Sequence, residues 1–448
     1  MTDPYRVSAD LVREPPQKFL QKLRFLGPGF ILSASIVGSG ELIATTTLGA
    51  QAGFVTFWVI IVSCLVKVAI QVEFGKHAIN SGESVMAAFN KLPGPKFGKA
   101  NWTIWTWLSL MSLKFLQLGG IVGGVALTLH IALPDVSVPF WTFAVATAVA
   151  ALVFRGYYQF IEKTSIVMIG LFTIFTFVSI FFLQYTPYAI TWANIAEGMS
   201  FHLPAVAIGV AIGAFGLTGV GGDEIMIYSY WCLEKGYAAF TGPKDDSPEW
   251  NARAKGWIRV MYLDAAAAMI LYTTVTAAFY LLGAAVLHAS GEVPQGYGMI
   301  ETLSAMYTQT LGPGAKTIFL LGAVAVLFST LFAALASWLR LFADALGQIG
   351  WINFYDPVAR KRAYMVMAWA FPLVWAILFL FIQLPVFMVV IGGIVTSIIL
   401  FIVVFAAFHF RYWRLPETLL PSKKYDLIFW LSAAAIVLVG AYGLAKLF

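Results

Sequence analysis

Two short glycine-rich sequences that end in acidic residues stand out because each interrupts an apolar segment. The first is Gly38-Ser39-Gly40-Glu41, and the second is Gly221-Gly222-Asp223-Glu224, which lies 183 residues further along the chain. Glycine weakens a helix interior, and a carboxylate in an apolar environment needs a partner or a function. Carbonyl oxygens freed at such a break bind small cations, and the amides of the helix that follows attract anions. The pattern therefore predicts a substrate site built from two broken helices.

Three carboxylates at the two breaks are candidates for cation binding. Glu41 stands at the start of a half-helix, where the helix dipole favours negative charge. Asp223 and Glu224 are adjacent, so we expect their side chains to point to different helix faces, one lining the substrate cavity and the other paired with a basic residue. The alternative is that the glycines only allow close packing and the acids are structural. The candidate substrate- or ion-binding residues are Gly38, Ser39, Gly40, Glu41, Thr218, Gly221, Gly222, Asp223 and Glu224, with Glu41, Asp223 and Glu224 as the candidate metal ligands.

Two lysines inside apolar segments are candidates for a charge pair or for coupling. A buried lysine finds a carboxylate or loses its proton, so we expect Lys114 to pair with Glu41, Glu73 or Asp223. Gln117 lies one helical turn after Lys114, on the same face. The second lysine is Lys67, whose spacing from Glu73 does not favour a pair within one helix. A coupling role, in which proton release alters such a pair, is the alternative.

Composition places the chain in a membrane. It has 448 residues, of which 60% are hydrophobic and 11% are charged, and its mean hydropathy is +0.82. A soluble domain of this size would have to expose that apolar surface, so a polytopic membrane protein with the lipid bilayer as its surroundings is expected. Membrane topology explains the net charge of +6 without nucleic acid. The sequence has no Walker-A motif and no histidine cluster, and we expect neither an enzyme nor a resident cofactor.

Eleven apolar segments are long enough to span a bilayer, and the first and sixth contain the two breaks. This count predicts an all-α membrane protein of the LeuT type, with two inverted repeats of five helices and one extra helix. We expect an N-terminal segment at 1–26, the first repeat at 27–190, the second at 200–410 and the extra helix at 426–448. The predicted spans are 27–51, 54–79, 102–132, 138–154, 164–186, 203–233, 257–288, 315–348, 363–383, 385–410 and 426–447.

Basic residues alternate between the loops and predict an orientation. Lysines and arginines precede the first span and follow the second, fourth, sixth, eighth and tenth, whereas the other loops nearly lack them. The positive-inside rule then places the N-terminus in the cytoplasm and the C-terminus outside, in a plasma or inner membrane. The sequence leaves the oligomeric state open, and a monomer fits it.

Several pieces of the chain resemble the Nramp (SLC11) family of proton-coupled divalent-metal transporters. Gly27-Pro28-Gly29-Phe30 is similar to the start of that family's first helix, and Ser81-Gly82-Glu83-Ser84, after Gln71 and Lys76, to the end of its second. Further similar pieces run from Arg155-Gly156 to Glu162 and from Arg259 through Asp264 to Ala268. The resemblance covers most of the chain and implies the LeuT fold, with divalent-metal transport as the expected function.

The departures from the family pattern fall at the site itself. The family's first-helix motif Asp-Pro-Gly-Asn is replaced by Gly38-Ser39-Gly40-Glu41, and its sixth-helix motif Met-Pro-His-Asn by Gly221-Gly222-Asp223-Glu224. Lys114 and Gln117 stand where the family has third-helix acids that handle protons. The family's ligand roles and proton path therefore do not transfer residue by residue.

The lost methionine changes the expected substrate. A thioether selects soft transition metals, whereas carboxylates and water suit hard ions. We therefore expect a secondary-active transporter of a hard divalent cation, with Mg²⁺ favoured, Mn²⁺ accepted and protons as a candidate coupling ion. A branch of Nramp-related magnesium transporters also lacks this methionine. The alternative is a LeuT-type transporter of a small organic solute such as an amino acid, whose carboxylate the amides of Gly38–Gly40 would hold.

Overall fold

The computed structural model describes residues 3–36, 38–155, 158–245 and 247–447, and helices make up most of this part of the chain. A short antiparallel ribbon, β1 (Lys96–Phe97) and β2 (Ala100–Asn101), precedes one long helix. The α-helices, numbered along the chain, are α1 (Phe19–Leu23), α2 (Pro28–Ile36), α3 (Thr46–Ala52), α4 (Phe57–Ser81), α5 (Val85–Phe89), α6 (Trp102–Ala132), α7 (Val138–Arg155), α8 (Tyr158–Leu183), α9 (Trp192–Gly198), α10 (Ile208–Leu217), α11 (Gly222–Lys235), α12 (Tyr237–Thr241), α13 (Pro248–Leu282), α14 (His288–Ser290), α15 (Met299–Leu311), α16 (Ala315–Ile349), α17 (Pro357–Ile382), α18 (Pro385–His409) and α19 (Lys423–Leu447).

The helices follow the predicted spans closely. The span predicted at 102–132 coincides with α6, and the spans predicted at 138–154 and 315–348 differ from α7 and α16 by one residue at one end. Within the described residues, nine helical segments are long and apolar enough to cross a bilayer. The chain is therefore an all-α integral membrane protein, and the count of eleven spans stays a prediction.

The first and sixth predicted spans are both broken where the glycines fall. In the first, α2 ends at Ile36, and a π-helical turn (Ser39–Thr45) leads into α3. In the sixth, α10 ends at Leu217 and α11 begins at Gly222. Within that second gap Gly219 has a φ of +64°, a left-handed conformation that glycine adopts without strain. The predicted interruptions are confirmed.

Glycine lets α18 approach the neighbouring helices closely. A β-carbon at Gly216 would overlap the carbonyl oxygen of Gly393, so the backbones of α10 and α18 are in direct contact. A β-carbon at Gly120 of α6 would lie 2.7 Å from the carbonyl oxygen of Pro385. The glycines of α6 thus serve helix packing, as small residues commonly do in membranes. These contacts bring α6, α10 and α18 together around the second break.

The N-terminal segment lies across the helix ends at one side of the bundle. The Tyr5 hydroxyl donates to Glu234 Oε1 at 2.6 Å, and Asp3 forms an ion pair with Arg360 at 3.0 Å. Further along, the Trp257 indole donates to the Arg13 carbonyl oxygen at 3.0 Å. The segment therefore connects α11, α13 and α17 at this end.

Two acidic side chains near the same end of the bundle stabilise the local structure there. The Asp264 carboxylate accepts the backbone N–H groups of Gly27 and Gly29 at 2.7 and 2.6 Å, and so caps the start of α2. Glu83, just beyond α4, lies with its Oε2 3.8 Å from His77 Nε2 and also pairs with the Lys91 ammonium. The His77 and Lys91 interactions lower the pKa of the Glu83 carboxyl to about 2.

Arg340 and Asp344 are four residues apart on α16, and this spacing predicts a local ion pair, but the prediction is wrong. The Arg340 guanidinium instead binds Glu234 on α11, with Nη2 2.9 Å from Oε2. Asp344 accepts the Tyr230 hydroxyl at 2.6 Å and the Gln348 amide at 3.0 Å. Both side chains point to α11 because that helix packs against α16, and an interhelical partner with better geometry outcompetes the neighbour in sequence.

Candidate transport site

The first break is held open by its own acid. Glu41 is fully buried; its Oε2 accepts the Gly38 N–H at 3.3 Å, and its Oε1 accepts the Thr276 hydroxyl of α13 at 2.9 Å. The hydroxyls of Thr45 and Thr46 then satisfy the carbonyl oxygens of Gly40 and Glu41, at 2.8 and 3.1 Å. Polar side chains thus replace the hydrogen bonds that a continuous helix would make.

The second break is supported from α4. The Ser63 hydroxyl donates to the carbonyl oxygens of Phe215 and Thr218 at 2.9 and 3.0 Å, and accepts the Thr218 hydroxyl at 2.8 Å. Lys67, one turn after Ser63, donates to carbonyl oxygens of the same break. Lys67 therefore binds backbone oxygens, whereas Glu73 pairs with Lys76 on its own helix.

A buried ion pair lies between the two breaks. Lys114 of α6 binds Asp223 Oδ1 at the start of α11, and their side chains are only 1% and 6% exposed. The second oxygen of Asp223 lies 3.4 Å from the Trp338 indole nitrogen of α16. Of the three acids proposed from sequence as partners of Lys114, the structure selects Asp223.

The ion pair borders a small cavity. Its volume is about 20 Å³, which is room for about one water molecule. Both breaks contribute to it, since Gly40 lines it from the first span and Glu224 from the sixth. The residues that line it are Ser35, Ile36, Gly40, Lys114, Gln117, Leu118, Ile121, Leu217, Asp223, Glu224, Thr330, Ala334 and Trp338.

Asp223 and Glu224 both line this cavity, although adjacent residues were expected to face apart. One of the two acids was expected to pair with a basic residue, and Asp223 does so with Lys114. Both acids lie in the first turn of α11, and the two carboxyl groups reach one polar site.

The other candidate residues lie around the cavity rather than on it. Gly221 and Gly222 pack against Thr396 and Ile399 of α18, so a side chain at either position would collide with that helix. Gly38 packs even more closely against Thr330 of α16. The side chain of Ser39 and the whole of Val37 lie outside the described residues.

Most of the polar atoms that line the cavity are oxygens, which are hard ligands. Its polar side-chain atoms come from two carboxyl groups, the Gln117 amide, hydroxyls, the Trp338 indole and the Lys114 ammonium, and none of the described residues that line it carries sulfur. The Gln117 Oε1 is buried, with no hydrogen-bond partner in the described part of the chain. Within those same residues, no group of three or more His, Cys, Asp or Glu side chains is arranged to hold a metal ion. Glu41 thus does not join the other two acids.

Sequence reasoning missed Trp338, Thr276 and Ser63. Each touches a break residue from another helix, and each is a common residue type inside an apolar segment. Ser63 had a usable signal, because it lies four residues before Lys67 and so shares its helix face. For Trp338 and Thr276 nothing in the spacing indicated a partner.

Two broken helices that meet at a buried polar site are typical of the LeuT-type fold, and comparison with solved structures shows the same fold. A manganese transporter of Eremococcus coleocola matches with a TM-score of 0.66 at 14% identity, over 97% of this chain and 90% of the other. The nucleobase-cation-symport-1 family transporter Mhp1 matches with a TM-score of 0.60 at 15% identity, over 97% and 95%. MhsT, solved in complex with L-phenylalanine, gives 0.55 at 15% identity, over 97% and 100%.

The sequence itself then assigns the family. Residues 29–446 match the family model described as natural resistance-associated macrophage protein-like, and the chain belongs to this Nramp family of transporters. It is 25% identical to an uncharacterized protein of Pasteurella multocida, over 72% of this chain and 71% of the other. It is also 25% identical to the metal transporter Nramp6.2 of Populus trichocarpa, over 36% of this chain and 28% of that protein. The chain is thus a transporter and not an enzyme.

Proposed function

We propose that this chain moves a hard divalent cation by secondary-active alternating access, with Mg²⁺ preferred and Mn²⁺ accepted. The observation that carries the proposal is the sulfur-free set of oxygen ligands where the two breaks meet, above all Asp223 and Glu224. Carboxylate and amide oxygens suit hard cations, whereas a thioether would favour softer metals. The manganese transporter of Eremococcus coleocola, which shares the fold, supports a divalent cation as the substrate class.

Lys114 competes with the transported cation for the Asp223 carboxylate. Its ammonium neutralises Asp223, so a divalent cation that binds this carboxylate has to displace the ammonium. Mg²⁺ keeps much of its hydration shell, so the cavity must widen in another transport state to admit it. We further propose protons as the coupling ion, with Asp223 and Glu224 as the groups that exchange them.

The orientation and the repeats complete the proposal. The alternation of basic loops supports a cytoplasmic N-terminus, an extracytoplasmic C-terminus and a location in the plasma or inner membrane. The breaks in the first and sixth spans support inverted repeats at 27–190 and 200–410, followed by the extra helix at 426–448.

Uptake into proteoliposomes tests the substrate. Purified protein is reconstituted, and uptake of Mg²⁺, Mn²⁺ and Cd²⁺ is measured with and without a proton gradient. We expect uptake of Mg²⁺, and we expect Mn²⁺ to inhibit it at similar concentrations. Cd²⁺ should inhibit no better than Mn²⁺, because the site has no thioether to bind the softer ion more tightly. The variant Glu224→Gln should lose most of this uptake, whereas Glu197→Gln, on the exposed surface of α9, should transport like the wild type. Tight Cd²⁺ binding without competition by Mg²⁺ would reverse the ranking.

A small organic solute such as an amino acid is the second candidate, and Lys114 is the observation that favours it. A fixed ammonium beside the cavity repels a divalent cation but attracts a carboxylate, and MhsT, a solved structure with the same fold, holds L-phenylalanine. Saturable uptake of an amino acid in the same proteoliposomes, with no response to any divalent cation, would establish this candidate instead.

A further inference from the structure

The ammonium of Lys67 reaches from α4 into the break of the sixth span. It donates to the Phe215 carbonyl oxygen, to that of Thr218 at 2.9 Å and to that of Gly216 at 3.4 Å. All three acceptors are backbone oxygens, and Lys67 itself is fully buried. An ammonium has three N–H donors, so these oxygens match its donors in number.

These oxygens need a cationic or donor partner because of where they lie. The last turn of a helix leaves its carbonyl groups without partners in the same helix, and α10 ends at Leu217. The helix dipole adds partial negative charge at that end, and the site is inaccessible to water. Ser63 supplies one hydroxyl, which satisfies only part of the demand. The Phe215 ring adds a favourable cation–π contact, with its centroid 4.9 Å from Lys67 Nζ.

We propose that the end of α10 is a monovalent-cation site that Lys67 fills from within the chain. Converging backbone carbonyl oxygens are the ligands that replace the hydration shell of an alkali or ammonium ion. The Lys67 ammonium, which is attached to α4, occupies the position that such an ion would take. The break therefore keeps its shape without a bound ion from solution. Lys67 binds backbone oxygens at the end of α10, whereas Lys114 binds the Asp223 carboxylate, so the two lysines have different partners.

Chemical rescue tests this assignment. Lys67→Ala removes the atoms of n-propylammonium and leaves the carbonyl oxygens in place. The melting temperature of the purified variant is measured in detergent by tryptophan fluorescence, with n-propylammonium or with n-propanol, its uncharged counterpart. We expect a lowered melting temperature that n-propylammonium raises in a saturable way and n-propanol does not. The wild type and the control Lys96→Ala, at an exposed position of β1, should not respond.

Lys67→Met separates charge from volume. Methionine fills nearly the same space without a donor, so this variant should remain less stable than the wild type and should not respond to n-propylammonium. The proposal would be overturned if n-propanol rescued Lys67→Ala as well as n-propylammonium does, or if n-propylammonium gave no rescue.

If Lys67→Ala does not fold, Lys67→Arg is compared with Lys67→Met. Higher stability of the arginine variant supports a cation site, and equal or higher stability of the methionine variant contradicts it. Both readouts are independent of transport, so they stand even if the proposed substrate is wrong.

Discussion

Replacing Lys114 with methionine should destabilise the protein through the partner that it leaves behind. Methionine has nearly the length of lysine, so Lys114→Met removes the charge with little change in volume. Asp223 would keep the Trp338 indole at 3.4 Å as a weak donor and would lose its only ion-pair partner within the described residues. A carboxylate buried without compensation is the source of the expected cost.

The size of the effect follows from the burial of the pair. Both side chains are less than a tenth exposed, so solvent screens the interaction weakly. Breaking a buried pair by removing one partner costs about 3–5 kcal/mol, whereas removing both charges is often close to neutral. We therefore expect Lys114→Met with Asp223→Asn to recover about 2 kcal/mol or more relative to Lys114→Met alone.

A double-mutant cycle measures this recovery. The free energy of unfolding is determined in mixed micelles by circular dichroism for the wild type, the two single variants and the double variant. Lys114→Met combined with Asp264→Asn is the matched control, because Asp264 caps α2 and does not contact Lys114; its effects should add. Additive losses for the Lys114 and Asp223 changes would refute the reasoning, since they would show that the two charges do not stabilise one another.

Three further predictions concern other parts of the molecule. Gly216→Ala should sharply reduce the yield of folded protein on size exclusion, because its β-carbon would overlap α18, whereas Gly170→Ala, with open space around it, should leave the yield unchanged. Glu83→Gln should lower the melting temperature at pH 7; because the folded-state pKa of about 2 lies below the unfolded value of 4.5, the gap to the wild type should persist down to about pH 4.5 and then close as pH falls toward 2. Glu41→Gln keeps the shape of the side chain and removes its charge from the first break, so it should cut uptake strongly in folded protein; wild-type uptake would remove Glu41 from the mechanism.

The sequence alone predicted the architecture because its signals are local. Apolar segments long enough to span a bilayer give the helices, and glycines beside acids give the breaks at Gly38–Gly40 and Gly219–Gly222. The resemblance to the Nramp family rested on short motifs, and it is confirmed over residues 29–446. These properties depend on neighbours along the chain, so no knowledge of the tertiary structure was needed.

Only the tertiary structure decided which groups meet. Helical periodicity tells which side chains share a face, but it does not tell which helix lies opposite that face. Three acids were candidates for Lys114, and the packing of α6 beside the start of α11 selected Asp223. Arg340 was assigned to the wrong partner for the same reason, since Glu234 on another helix offered better geometry. The partners of Lys67 are backbone oxygens, and these become available only where the fold unwinds a helix beside α4.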